Sequence, residues 1–534
     1  MHVLCPLIFQ AQKKHALLIV MTCKQLFVFL LYVKLFVPIR SKKDILFILA
    51  DDLGYNDIGY NNKKILTPNI NKLYKESTPL KNYYVQPICT PTRSTLMTGR
   101  SQIHIGLQHG YIKLRQPNSI PLDEKLLSNY FQDCGFETNL VGKWHNGFYT
   151  EKATPRFRGF DNFLGYLGGS EGYYDKARCD VISGKYTCGI DFQINGIYSN
   201  STFGKYSAEV YVEALSKYYR NRNKNKAKGS SNKRPSFTLL AFQSIHTPHE
   251  VPEKFLRPYD YVKNNDRKKT MAMITALDYN IGKLLENIDL NNTIIIFSSD
   301  NGGQTSTGGN NWPFRGKKTT YFEGGIKVPG FIYPKGLLTK TNHLEQKLFH
   351  ISDWLPTLLS ISNCYPKNGQ FKKKLDGVDQ TKTERSELLY NIDPLHFSKK
   401  FTPNSTEEEM SVRSDFDVRV KASYRLNNFK IITGPCMMTK RVPPPEGQSD
   451  TLRFEPNQHK ITDTDGNLRL YNVVKDPYEF NNLATERPDL TLLLLRKLAD
   501  FNQTAVKCNY PDEDIVYPRD GFWKPWKHLD DNFL

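Results

Sequence analysis

Asp44-Ile-Leu-Phe-Ile-Leu-Ala50 runs unbroken through apolar residues and stops at two adjacent carboxylates, Asp51 and Asp52. A short, continuous apolar run is what a strand buried on both faces of a parallel sheet requires, because neither face meets water. The pattern recurs down the chain. Thr138-Asn-Leu-Val-Gly142 leads into Lys143-Trp144-His145, Phe237 to Ile245 leads into His246, and Thr293 to Ser299 delivers Asp300-Asn301. Between these runs lie stretches of helical period: Leu122 to Cys134 with Gly135 as its cap, about Ala208 to Tyr219, and Thr270 to Ile288. Strands alternating with helices predict an α/β fold with a large, mostly parallel sheet and a site beyond its carboxyl edge. A lone His246 would more often be a satisfied structural histidine, and a lone Lys143 a surface charge. Their shared place at strand ends argues against that reading for the set.

A second stretch, Cys89-Thr-Pro91-Thr-Arg93-Ser-Thr-Leu-Met-Thr98-Gly99-Arg100, places a cysteine in a loop just before a helix start. Pro91 suits the first turn and Gly99 the helix end. Backbone N–H groups at such a start, with Arg93 one turn on, favour an anion near Cys89. A buried structural thiol is the plainer alternative. Farther on, Gly302 to Lys318 is glycine-rich, which lets backbone approach a ligand closely and brings Lys318 back toward an anion.

With 534 residues the chain can bury a large core and a smaller second one. We divide it into a segment 1–40, a catalytic α/β domain 41–383, and a smaller C-terminal α+β domain 384–534. The net charge of +19 admits nucleic acid, an anionic membrane or an acidic polymer as partner. Its densest basic run, Arg220 to Arg234, has no aromatic interleaving or helical period, so it reads as a solvated loop and speaks against nucleic acid. Near the N-terminus Leu26 to Val33 has the length of a signal-peptide core, with Met21 as an alternative start. The membrane enters only if that segment stays on as an uncleaved anchor. Sequons at Asn200, Asn291, Asn404 and Asn502 agree with the secretory route. Of nine cysteines, Cys5 and Cys23 fall in that segment and Cys89 is assigned to chemistry. Of the rest, Cys179 and Cys188 bracket a short turn-rich segment and are expected to form a disulfide.

Cys-x-Pro-x-Arg followed by Thr98-Gly99 resembles the signature of the type I sulfatases. Tyr83-Tyr84-Val-Gln86-Pro87, Gly106 to Gly110, Gly142 to His145, Gly169-Ser170-Glu171, Asp300 to Gln304, Asn311 to Lys318 and His350 to Thr357 are similar to the branch that holds arylsulfatases B, I and J. The resemblance runs from Ile45 over nearly the whole remaining chain. It implies the alkaline-phosphatase-like sulfatase fold and hydrolysis of sulfate esters, with the 4-sulfate of N-acetylgalactosamine units in glycosaminoglycans, or an aryl sulfate, as substrate. It implies that Cys89 is oxidised to formylglycine by a formylglycine-generating enzyme, and that Asp51, Asp52, Asp300, Asn301 and residue 89 bind one Ca²⁺. Independently, all-oxygen side chains suit a hard cation.

By the same match Arg93, Lys143, His145, His246 and Lys318 fill the pocket, with Lys143, His246 and Lys318 touching substrate. One hydroxyl of the hydrated aldehyde would attack sulfur, His246 with Lys318 would protonate the leaving oxygen, and His145 would help regenerate the aldehyde. The lysosome is the expected destination, with secretion or the cell surface as alternatives. Some positions depart from the pattern. Asn146 stands where Leu is common, the loop Leu114 to Asn118 lacks cysteines, and the Asp393-Pro394 region has none to pair with Cys436. Two rival readings are a phosphatase or phosphodiesterase of the alkaline phosphatase superfamily, and a secreted glycan-binding protein that has lost catalysis.

Overall fold

A computed structural model describes residues 42–227, 234–338, 346–366, 368–403, 405–436 and 466–528. The segment 1–40, Asn404 and positions 228–233 of the basic run lie outside the described residues. Among those described, no helix is long and apolar enough to cross a membrane.

The apolar runs become neighbouring strands. β1 (Asp44–Ala50), β2 (Glu137–Lys143), β3 (Asn162–Tyr166), β4 (Ser236–Ala241), β5 (Thr293–Ser299) and β6 (Gly330–Tyr333) stand side by side in the order β6-β5-β1-β4-β2-β3. Short strands extend the sheet at both edges, to nine in all. The contacts β5-β1, β1-β4, β4-β2 and β2-β3 are parallel, and β6 runs antiparallel to β5.

Strand alternation splits β1 between two cores. Ile45, Phe47 and Leu49 join one hydrophobic cluster, while Leu46, Ile48 and Ala50 join another on the opposite face. Full burial of each large side chain contributes about 1.5–3 kcal/mol, so the run itself anchors the sheet. Helices cover both faces. α1 (Cys89–Thr98) and α2 (Leu127–Asp133) contribute Leu96, Met97, Leu127 and Phe131 to the first cluster, whereas α3 (Ser207–Ala227) and α4 (Asn265–Leu285) contribute Tyr211, Leu215, Met271 and Ile274 to the second.

Toward the C-terminus β7 (Glu387–Phe397), β8 (Val420–Leu426), β9 (Phe429–Thr433) and β10 (Leu468–Asn472) make an antiparallel sheet in chain order. Leu494, Leu495 and Leu498 of a helix at Pro488–Gln503 pack with Tyr424, Ile431 and Leu470 of this sheet.

Several boundaries differ from the sequence reading. The expected helix from Leu122 starts only at Leu127, because Glu124 is drawn into ion pairs with Arg100 and Lys373 and Asn129 Oδ1 accepts from the N–H of Leu126. The run to Ile245 leaves the sheet after Ala241. Ser244 and Ile245 bond the backbone of Asp51 instead, which carries His246 toward Asp52. The basic run is not all loop: α3 continues to Ala227, and Arg222 folds inward to Asp44 (2.8 Å) and Glu137 (3.0 Å).

The expected Cys179–Cys188 disulfide is present, tying the hairpin strands Ala177–Ile182 and Lys185–Ile190. A second, Cys134–Cys364, joins residues 230 apart that the sequence did not pair. Cys436 and Cys508 carry free thiols.

Candidate active site

Cys89 is the first residue of α1 rather than a loop residue, and the whole helix is buried. Gly99 closes the helix in the left-handed conformation (φ 65°), where a Cβ would be strained, and its N–H returns to the carbonyl of Thr95. The buried start of α1 lies beside the carboxyl ends of β1, β4, β2 and β5. The parallel strands thus bring Asp51, Asp52, Lys143, His145, His246, Asp300 and Asn301 to one place, at the edge where the α/β topology puts ligands.

Ligand atoms of Asp51, Asp52, Cys89 and Asp300 all lie within 4.8 Å of one another. Cys89 Sγ is 3.8 Å from Asp51 Oδ1. Three cations answer the three carboxylates. Lys143 Nζ donates to Asp51 Oδ2 at 2.6 Å, Lys318 Nζ to Asp52 Oδ2 at 2.8 Å, and Arg93 donates through Nε and Nη2 to Asp300 Oδ2 at 3.0 and 2.8 Å. Arg93 Nη1 also donates to the carbonyl of Lys143 at 3.2 Å, which holds the guanidinium across two strand ends. Backbone strain gathers here as well: Asp52 (φ 62°) and His145 (φ 51°) are both left-handed. Asp300 is followed by Asn301 and Gly302, and a Cβ on Gly302 would meet the carbonyl of Gly324 at 2.0 Å, so the Asn301 loop can lie this close to its support only with glycine.

Burial and mutual repulsion set the protonation states. Burial raises the Asp51 carboxyl, Asp300 adds to it and Lys143 opposes, leaving it at about 7. Asp52 is pulled down despite burial by Lys318 and His246, and Lys318 is in turn held well above its ordinary value by Asp52. The Cys89 thiol is pushed up to about 12, first by burial, with Lys143 and Lys318 opposing and Asp300 and Asp51 reinforcing. His145 is lowered by burial and by Lys143 and Arg93, and His246 is lowered to about 3 by burial and Lys318. Both histidines are therefore neutral. His145 Nε2 lies 3.1 Å from the carbonyl of Ile112, to which it donates, so the buried Nδ1 carries the lone pair and is without a partner. His246 Nδ1 lies 2.7 Å from the carbonyl of Thr247, so Nε2 is its free acceptor, 4.0 Å from Asp52 Oδ2.

These residues fit a hard divalent cation. Asn301 Oδ1 is buried with no hydrogen bond, an arrangement that costs free energy unless something accepts its lone pairs. With the carboxylates of Asp51, Asp52 and Asp300 it makes an oxygen-dominated donor set. Every site residue expected from the sequence is thus in one cluster. Three sequons have an exposed asparagine: Asn200, Asn291 and Asn502.

What the sequence did not reveal lies beneath the loop that carries Asn301. Lys430 Nζ of β9, fully buried, contacts Glu323 Oε1 at 2.7 Å and Glu479 Oε1 at 2.6 Å. Glu323 begins the short helix whose Gly325 carbonyl accepts from Gly302 N–H at 2.9 Å. A lysine within an alternating strand carries no signal of such burial. Only the partners, brought from far along the chain (Glu323 lies 107 residues away), create it.

A profile of the family described as Sulfatase matches residues 43–363. Arylsulfatase J of Mus musculus is 36% identical over 91% of this chain and 80% of its own length. N-acetylgalactosamine-6-sulfatase of Homo sapiens is 28% identical over 63% of this chain and 64% of its own. Among solved structures, Ps i-CgsB in complex with k-i-k-neocarrahexaose superposes with TM-score 0.64 at 26% identity, covering 88% of this chain and 95% of that one.

Proposed function

The chain belongs to the sulfatase family and is a sulfuric ester hydrolase, and from that premise we propose that it cleaves the 4-sulfate of N-acetylgalactosamine units in dermatan- or chondroitin-type glycosaminoglycans. We propose further that Cys89 is converted to formylglycine by a dedicated enzyme during synthesis, that one Ca²⁺ is bound, and that the protein works in the secretory route, with the lysosome as its destination. Residues 41–383 would form the catalytic domain and 384–534 a smaller one.

The observation that carries the reading is the convergence of Cys89 with three carboxylates and three cations at one sheet edge. A thiol held at about 12 stays protonated, so Cys89 as cysteine is a poor nucleophile, and conversion gives the position a use. Formylglycine would supply, as its hydrate, the hydroxyl that attacks sulfur. Asp51, Asp52, Asp300 and Asn301 would hold Ca²⁺, which supplies positive charge against oxygens that become more negative in the transition state.

The chain's own residues do the rest. Arg93 and Lys143, fixed by Asp300 and Asp51, aim N–H donors at the sulfate oxygens without having to reorganise. Lys318 remains protonated and serves as donor to the departing sugar oxygen. His246 keeps its proton on Nδ1 for Thr247, so its Nε2 assists the departing oxygen only once it carries a second proton. His145 presents the unpartnered Nδ1 lone pair as a base.

The name of the human N-acetylgalactosamine-6-sulfatase supports an amino-sugar sulfate, and that of arylsulfatase J an aryl sulfate. Assay on 4-sulfated and 6-sulfated galactosamine oligosaccharides decides between positions. Preference for the 6-sulfate, or for glucosamine sulfates, would reject the proposed substrate.

A further inference from the structure

Lys421 belongs to β8 but reaches across to the active-site loop. Its Nζ donates to the carbonyl of Thr319, the residue after Lys318, at 3.0 Å. Thr319 is itself pinned: its N–H donates to the carbonyl of Pro87, two residues before Cys89, at 2.7 Å, and its backbone is left-handed at φ 77°. The Lys421 ammonium is therefore fixed to the peptide adjoining the lysine that grips Asp52.

Among the described residues no carboxylate pairs with it directly, and Cys436 and Asp393 act on its charge only from farther off. Lys421 is largely withdrawn from water, and burial draws its pKa down. No carboxylate of those residues lies within 4.0 Å of it. Asp393 stands opposite it in the β7–β8 register, but both carboxylate oxygens of Asp393 turn to His109 Nδ1, at 2.9 and 3.0 Å. Near Nζ stand one carbonyl, the thiol of Cys436 and the face of Tyr321 at 5.4 Å, with the charge of Asp393, engaged by His109, acting from farther off. These offset part of the desolvation without neutralising the charge. A cation kept at that cost, bonded to the carbonyl of the residue next to Lys318, has the setting of a group that waits for an anion.

We propose that Lys421 is a second anion-binding residue of this active site, taking a carboxylate or sulfate carried by the sugar next to the one whose sulfate is cleaved. The inference rests on the sulfatase reading above and narrows it: the preferred substrate carries at least two anionic groups. A lysine, a compact charge on a flexible stem, suits an anion whose position varies with the linkage.

The test is steady-state kinetics of wild type, Lys421→Met and Lys421→Gln on four substrates. These are an aryl sulfate whose only anion is scissile, a sulfated galactosamine oligosaccharide with intact uronic carboxylates, the same oligosaccharide with its carboxyls reduced, and a reduced oligosaccharide bearing a second sulfate. Gln keeps a donor for the Thr319 carbonyl while removing the charge. For both variants we expect the ratio of kcat/KM for the acidic oligosaccharide to that for the aryl sulfate to fall about 10-fold, mainly through KM. Carboxyl reduction should cost the wild type the same factor if the anion is a carboxylate, and the second sulfate should restore it if sulfate is accepted. A ratio unchanged in both variants would overturn the proposal, since a purely structural tie to Thr319 lowers all substrates alike. Preference for the 6-sulfated isomer would instead overturn the substrate reading, and the same ratio would then be read on that isomer.

Discussion

Asn301 donates from Nδ2 to Asp52 Oδ1 at 2.7 Å while its side-chain oxygen Oδ1, buried, receives nothing. Asp52 thus orients the amide so that its oxygen points away from the bond, ready for a cation. We expect Asn301→Ala to weaken Ca²⁺ at least about 10-fold without changing the charge of the site. Wild type should gain thermal stability on adding Ca²⁺, and the variant should need correspondingly more metal for the same gain. An unaltered Ca²⁺ titration would remove Asn301 from the ligand set.

Asp300→Ala should be harsher, since Asp300 belongs to the proposed metal site and also holds Arg93. We expect activity to drop by about 100-fold or more, with metal lost from the purified protein. Arg93, left with Asp51 at 3.8 Å and the carbonyl of Lys143, should also cost about 3 kcal/mol of stability. Metal analysis showing full occupancy in an active variant would contradict the assignment.

Lys430 joins Glu323 and Glu479 at no exposure, beneath the loop that carries Asn301. Lys430→Met leaves two buried carboxylates facing each other, and chemical denaturation should show a loss of about 3–5 kcal/mol. Adding Glu479→Gln, which removes one of those charges, should recover part of it. A loss below about 1 kcal/mol would mean that the chain relaxes around the gap.

His350 should set a pH dependence of stability. Burial and Arg385 lower its pKa from 6.5 to about 3, so it stays neutral in the fold, with Nδ1 and Ser352 Oγ at 2.9 Å. Between those values the unfolded chain binds more protons than the folded one. Stability is therefore fully present above pH 6.5 and declines as pH falls toward 3, by up to about 1.4 kcal/mol per unit for one group. Denaturation of wild type and His350→Gln between pH 7 and 5 should show the shallower slope in the variant. Equal slopes would place the proton uptake elsewhere.

The strands and their terminal residues were legible because continuous apolar runs permit few other readings, and because a parallel sheet gathers the residues at the ends of such runs along one edge. Asp51, Lys143, His246 and Asp300 needed no knowledge of one another to be found. The start of α2 was not legible, since Glu124 leaves the helical path for ion pairs with Arg100 and Lys373 that sequence spacing does not encode. Arg222 read as part of a solvated basic run because its partners, Asp44 and Glu137, lie 178 and 85 residues away. The burial of Lys421 and Lys430 was not legible for the same reason. Their burial is created by the packing of a second sheet against the active-site loops, not by any local pattern.

The most direct measurement is the mass of the peptide containing residue 89, taken from enzymatically active protein made in a secretory-pathway host. We expect the aldehyde form, in which the CH₂SH side chain has become CHO, in a fraction that rises and falls with specific activity across preparations. Full activity from protein whose residue 89 is unmodified cysteine throughout would contradict the account at its centre.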